Sequence, residues 1–123
     1  MLLVDDVETL RFALSAFFHR VGWTVDDASG LDEALARIAT RAYALVVTDL
    51  RFADQSENGG LEVVRAARTR SPTTRIVVLT AYGNAEVEAR ARADGADLFL
   101  SKPQSLPRLV DRIDALFTEE VPS

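Results

Sequence analysis

The stretch ALVVTDL, residues 44–50, sets four apolar residues in a row and then closes on a hydroxyl and a carboxylate. An apolar run without polar alternation is the pattern of a strand buried on both faces, as in a parallel sheet covered by helices on either side. RIVVLT, residues 75–80, has the same character, so the two are expected to be central strands. Shorter or more mixed strand-like runs are LLV at residues 2–4, WTVDD at 23–27 and DLFL at 97–100.

Between these runs the apolar spacing changes to that of helices. Leu10, Leu14, Phe17 and Val21 form one stripe, Leu31, Leu35 and Ile38 a second, and Leu61, Val64 and Ala67 a weaker third. Ala85 to Ala93 is alanine-rich and charged, and Leu106, Leu109, Ile113 and Leu116 complete the set. Gly22, Gly30, Gly83 and Gly95 fall near boundaries, and Pro72 precedes a strand. Strand then helix, five times over, is the order of a parallel sheet, because crossovers between parallel strands require such helices.

The 123 residues suit one domain with a substantial core. Residues 1–118 are read as that domain and 119–123 as a tail or the start of a linker. There is no cysteine, which removes disulfides and thiolate metal sites and is compatible with a reducing cytoplasm, the expected location. No apolar run is long enough to span a bilayer, so no membrane partner is expected. A net charge of -5 disfavours a nonspecific grip on nucleic acid by this domain.

All strands of a parallel doubly wound sheet end on the same side, where ligands bind at the point of topological reversal. The strand-like runs here finish on Asp5 and Asp6, on Asp49, on Thr80 and on Lys102. Clustered carboxylates oppose one another's ionisation unless a cation offsets them, and an all-oxygen donor set suits Mg2+, with Mn2+ as the alternative. Asp49 can then act as a nucleophile toward a phosphoryl group, with Lys102 supplying positive charge and Thr80 a hydroxyl donor.

With these residues in place, the chain closely resembles the receiver domain of bacterial two-component response regulators over nearly its whole length. The resemblance rests on LLVDD, VVTDL, VVLTAYG and GADLFLSKP, in that order and at suitable spacing. It implies a flavodoxin-like (βα)5 three-layer sandwich with strand order 2-1-3-4-5. It also implies that Asp49 is the phosphoacceptor, charged from a sensor histidine kinase or a phosphotransfer protein. Asp5, Asp6, Asp49 and the backbone carbonyl of Arg51 would hold the metal, with Thr80 and Lys102 as the remaining catalytic groups. Thr80 and Phe99 would be the switch pair that remodels the face of helix 4, strand 5 and helix 5. Arg51 and Tyr82 would tune the lifetime of the phosphate, and Lys102–Pro103 would be a cis peptide bond. The output would be a domain beyond the C-terminus, a separate effector protein or a phosphorylation-dependent homodimer.

Two positions depart from the family pattern. The stretch from Asp49 to Glu62 is longer than the usual acceptor loop and lacks its common proline, which makes a more mobile loop the expectation although added length costs little closure entropy. Val7 stands where many members carry a further acid. Plain structural readings compete at several other positions. His19 lies away from the cluster, Trp23, Phe17 and Phe18 suit packing, and Glu86, Glu88, Arg90, Arg92 and Asp94 read mainly as a solvated face. Phe99 divides between a static ring and a moving one. Two other function classes stay open: a receiver-like module that binds partners without phosphorylation, and a Mg2+-dependent phosphohydrolase of the haloacid dehalogenase type. The second lacks its usual nucleophile motif and room for a cap.

Overall fold

A computed structural model describes residues 1–52, 59–81, 83–102 and 105–118. Five parallel strands, β1 (Leu2–Val4), β2 (Asp26–Ala28), β3 (Leu45–Thr48), β4 (Arg75–Thr80) and β5 (Leu98–Ser101), lie in the order β2-β1-β3-β4-β5. They alternate with α1 (Glu8–Arg20), α2 (Leu31–Thr40), α3 (Gly59–Arg70), α4 (Ala85–Asp94) and α5 (Leu106–Thr118). This is the flavodoxin-like order, with the reversal between β1 and β3.

Successive strand residues point to opposite faces, so each inner strand feeds two cores. Leu2, Val4, Val46, Ile76 and Val78 face α2 and α3, where Ala34, Ile38, Leu61, Val64 and Ala67 close over them. Leu3, Leu45, Val47, Val77 and Leu79 face Leu14 and Phe18 of α1 and Leu109 and Ile113 of α5. The weak sequence stripe of α3 is fully buried, with Val63 added to it. By contrast α4 buries only Ala91 completely and holds its place through partly buried Val87.

Two elements differ from their sequence reading. The second strand occupies Asp26–Ala28 rather than residues 23–27, because Leu2, Leu3 and Val4 pair with Asp26, Asp27 and Ala28. Trp23 instead lies outside the sheet and packs against Phe117, with ring centroids 5.7 Å apart and planes tilted by 50°. In α1 the core contact after Leu14 is Phe18, four residues on, while Val21 lies beyond the helix end and is 47% exposed. The strand read at residues 97–100 shifts by one, to Leu98–Ser101.

At the end of the sheet away from the strand carboxyl termini, Arg68 fastens three segments. It donates to the carbonyls of Pro72 and Thr74 at 2.8 and 2.9 Å, and to Gly95 O and Asp97 Oδ2 at 2.8 and 3.0 Å. Gly95 takes a positive φ of 120° as α4 ends, and an added Cβ would meet Arg68 Cγ at 2.9 Å. That clamp fixes where β5 starts and therefore where its carboxyl end delivers Lys102.

Candidate functional site: a carboxylate cluster closed by a lysine

The carboxyl ends of β1 and β3 lie side by side, Val4 pairing with Thr48. The next residues, Asp5 and Asp49, are therefore neighbours, and both are buried. Asp49 N donates to Val4 O at 3.0 Å and Asp5 N to Ala28 O at 3.1 Å, which carries the ladder one step past each strand. Carboxylate oxygens of Asp5, Asp6 and Asp49 fall within 4.8 Å of one another.

Each buried carboxylate is oriented by backbone. Asp5 Oδ1 accepts from Val7 N at 2.9 Å, and Asp49 Oδ1 accepts from Leu50 N at 2.7 Å. Their second oxygens converge on Lys102 Nζ, at 2.7 Å from Asp5 Oδ2 and 2.9 Å from Asp49 Oδ2. Burial by itself would lower the lysine pKa, but the hydrogen bonds and charges of Asp5 and Asp49 prevail and hold it above the ordinary lysine value. The ammonium is thus the cation that makes the acidic pair tolerable in this structure.

Lys102 reaches the pair because its own N–H donates to Thr80 O at 2.9 Å, continuing the β4–β5 ladder past Ser101. Thr80 is fully buried at the end of β4. Phe99, half-buried, lies over Gly83, where an added Cβ would come within 2.6 Å of its Cε1 atom and 3.5 Å of Thr80 Cγ2. Thr80, Gly83 and Phe99 are therefore contiguous. Arg51 is exposed at the site's margin, whereas Tyr82, Pro103 and residues 53–58 of the long loop lie outside the described residues.

Val7, the departure from the family acid, is exposed and contributes its backbone N–H to Asp5. His19 is exposed on α1. Among the charges of α4, Arg92 pairs with Glu88 at 3.0 Å and Asp94 with Arg65 at 2.9 Å, both near the surface.

Two residues shape this site without having stood out in the sequence. An added Cβ at Gly60 would overlap the Asp49 carbonyl oxygen, so α3 can begin against the acceptor strand only with glycine there. Gly60 N also donates to Leu50 O at 2.8 Å. The glycine pair just before the stripe of α3 was the available signal. Arg11, on α1, donates to Asp5 O at 2.8 Å and to Asp27 Oδ2 at 2.9 Å.

Known proteins resemble this chain in sequence and fold. The response regulator receiver domain model matches residues 1–114. The photosynthetic apparatus regulatory protein RegA of Rhodobacter capsulatus is 40% identical over 103 residues, which are 84% of this chain and 54% of that protein. The phosphate regulon transcriptional regulatory protein PhoB of Rhizobium meliloti is 34% identical over 122 residues, 98% of this chain and 52% of that protein. The chain thus spans about half the length of the curated relatives it matches. A Burkholderia pseudomallei response regulator crystallised with a phosphorylated aspartic acid, calcium ion and citrate superposes with a TM-score of 0.81 at 27% identity, covering 98% of this chain and 74% of that one. The receiver domain of NtrC4, in a beryllofluoride-activated dimer, gives 0.83 at 30% identity, covering 96% and 95%. The reversal of strand order at β1 and β3, the acidic cluster at that edge and the match over residues 1–114 lead to one conclusion: the chain belongs to the response regulator receiver domain family of two-component signalling systems.

Proposed function

We propose that the chain is a phosphorylation-dependent switch in which Asp49 accepts a phosphoryl group from a phosphohistidine on a kinase or phosphotransfer protein. The observation that carries this reading is the Lys102 ammonium held between Asp5 and Asp49, with Asp6 completing an oxygen-only cluster. Such a donor set fits Mg2+, or Mn2+, with Asp5, Asp6, Asp49 and the Arg51 carbonyl as the ligands. The ion would neutralise charge on the phosphoryl oxygens during transfer.

The residues of the chain do the rest. Leu50 N–H holds one oxygen of Asp49, which leaves the carboxylate pre-positioned rather than rotating. An Asp49 oxygen bonds to phosphorus as the phosphorus–nitrogen bond of the donor breaks, and the electron pair leaves on the imidazole nitrogen. Lys102 then turns from the free carboxylate of Asp49 to the oxygens of its phosphoryl group. Hydrolysis reverses the state: water attacks phosphorus, the bond to Asp49 breaks, and the carboxylate returns. Arg51 and Tyr82, two residues after Asp49 and Thr80 in the sequence, are assigned the tuning of the phosphate's lifetime.

Thr80 donates to the new phosphoryl group, and the space it leaves lets Phe99 turn, which changes the face of α4, β5 and α5. The contact of Phe99 with Gly83 beside Thr80 supports that coupling. A partner or output domain that binds one arrangement better than the other reads the signal. Residues 1–118 form the switch, and residues 119–123, read from the sequence as a tail or the start of a linker, lie outside the described residues.

The test is intact mass spectrometry of the wild type and Asp49→Asn after incubation with acetyl phosphate, with and without Mg2+. Gain of one phosphoryl group only in the wild type and only with Mg2+ is the expected result. No gain in a folded protein shown to bind Mg2+ would shift the reading to a receiver-like module that works unphosphorylated.

A further inference from the structure

Arg11 is the fourth residue of α1, and its guanidinium points back to the acidic pair Asp5 and Asp6. One nitrogen donates to the main-chain carbonyl of Asp5 at 2.8 Å and another to Asp27 Oδ2, in the middle of β2, at 2.9 Å. The Arg11 side chain is only 17% exposed. We infer that Arg11 is a positioning residue for the metal site, acting through the peptide that joins Asp5 to Asp6. This inference rests on the proposed reading of the acidic cluster.

The reasoning begins with the peptide group. The Asp5 carbonyl is part of the Asp5–Asp6 peptide, so its direction sets ψ of Asp5 and φ of Asp6 together, and with them the aim of both carboxylates. The ladder goes no further than Asp5 N, which donates to Ala28 O, and the Asp5 carbonyl just past it, at a buried residue, needs another partner. Arg11 supplies it, and Asp27 holds the guanidinium plane so that one donor is spent on β2 and another on β1. The planar fork suits this double duty in a way an ammonium does not. Asp5 is then fixed on three sides: its carbonyl by Arg11, Oδ1 by Val7 N and Oδ2 by Lys102.

The charge of Arg11 and its geometry push cation binding in opposite directions. As a positive charge beside the cluster, Arg11 repels a divalent ion, so removing the charge should tighten binding. As the holder of the Asp5–Asp6 peptide it favours binding, and loss of an outer-shell partner of this kind weakens metal affinity by about tenfold or more. Positioning predicts that the second effect wins.

The experiment is titration of the protein with Mn2+, following the free-ion electron paramagnetic resonance signal, on wild type, Arg11→Gln and Arg11→Lys, with thermal melts of each. Weaker Mn2+ binding in both variants is expected, by about tenfold. Arg11→Lys keeps the charge and the aliphatic stem and carries the test if Arg11→Gln does not fold. Mn2+ binding that is unchanged or tighter in the folded variants overturns the role of Arg11 alone. A wild type that takes up no Mn2+ overturns the reading of the cluster as well.

Discussion

Lys102 Nζ lies 2.9 Å from Asp49 Oδ2, across 53 positions of sequence. The same ammonium touches Asp5, so one lysine compensates two buried carboxylates. Removing it, as in Lys102→Ala, leaves both uncompensated. The expected loss of stability without divalent ions is about 3 kcal/mol, the low end for breaking a buried pair because some solvent reaches the lysine. The ammonium also competes with a metal ion for Asp5, so Mg2+ should bind Lys102→Ala more tightly than wild type and restore part of its melting temperature. Urea unfolding at zero and saturating Mg2+ measures both effects, and a variant indifferent to Mg2+ would count against a metal site at these carboxylates.

Gly60→Ala tests how α3 is seated on the acceptor strand. Alanine in place of glycine within a helix gains up to about 1 kcal/mol of intrinsic propensity. Here the new Cβ would overlap the Asp49 carbonyl, and Leu50 backbone lies alongside, so the obstacle cannot rotate away as a side chain could. Net destabilisation of about 1–3 kcal/mol is expected from the overpacking. A displaced α3 also moves the main chain of Asp49, so phosphoryl uptake from acetyl phosphate should fall together with the urea midpoint.

Tyr43 makes the stability of the fold depend on pH on the alkaline side. It is buried, and burial, then the hydrogen bond to Asp26 Oδ2 at 2.7 Å and the charge of Asp26, raise its pKa above the ordinary tyrosine value. The folded protein therefore keeps the phenolic proton after the unfolded chain has begun to lose it. Its contribution is fully present below pH about 10, where free tyrosine titrates, and is lost as pH rises through the higher folded value. Tyr43→Phe should cost about 1 kcal/mol at neutral pH, through the lost hydrogen bond. Its stability deficit should shrink as pH climbs past that point. Urea midpoints of the two proteins across the alkaline range give the difference, and a constant gap would mean that Tyr43 does not titrate with folding.

The parts of this molecule that could be read from sequence share a physical cause. Strands β3 and β4 are buried on both faces, so their apolar runs are continuous, and parallel topology then sends Asp5, Asp49, Thr80 and Lys102 to one edge without further information. What escaped depended on angles or on main-chain contacts. Phe17 and Phe18 differ by one residue, and only the packed helix decides that Phe18 meets the core. The second strand starts at Asp26 because register with Leu2, Leu3 and Val4 overrides the β propensity of Trp23, Thr24 and Val25. Arg11 acts on a carbonyl oxygen, which leaves no mark in a side-chain pattern, and Gly60 acts on another that is marked only by the glycine pair ahead of the α3 stripe.

Gly83→Ala asks whether Phe99 is part of a switch. The added methyl would stand 2.6 Å from Phe99 Cε1 and 2.9 Å from Cζ, so the ring must leave its present position. Because the obstacle is the far end of a side chain, relief by rotation is cheap, and global stability should change by less than about 1 kcal/mol. If the ring has a second well made available when Thr80 turns toward a phosphoryl group, the alanine populates that well without phosphorylation. The Phe99 ring resonances of unphosphorylated Gly83→Ala should then move along the line joining the unmodified and phosphorylated wild-type shifts. The extent of that movement measures the population gained. A static ring predicts shifts off that line and partner binding that still depends entirely on Asp49.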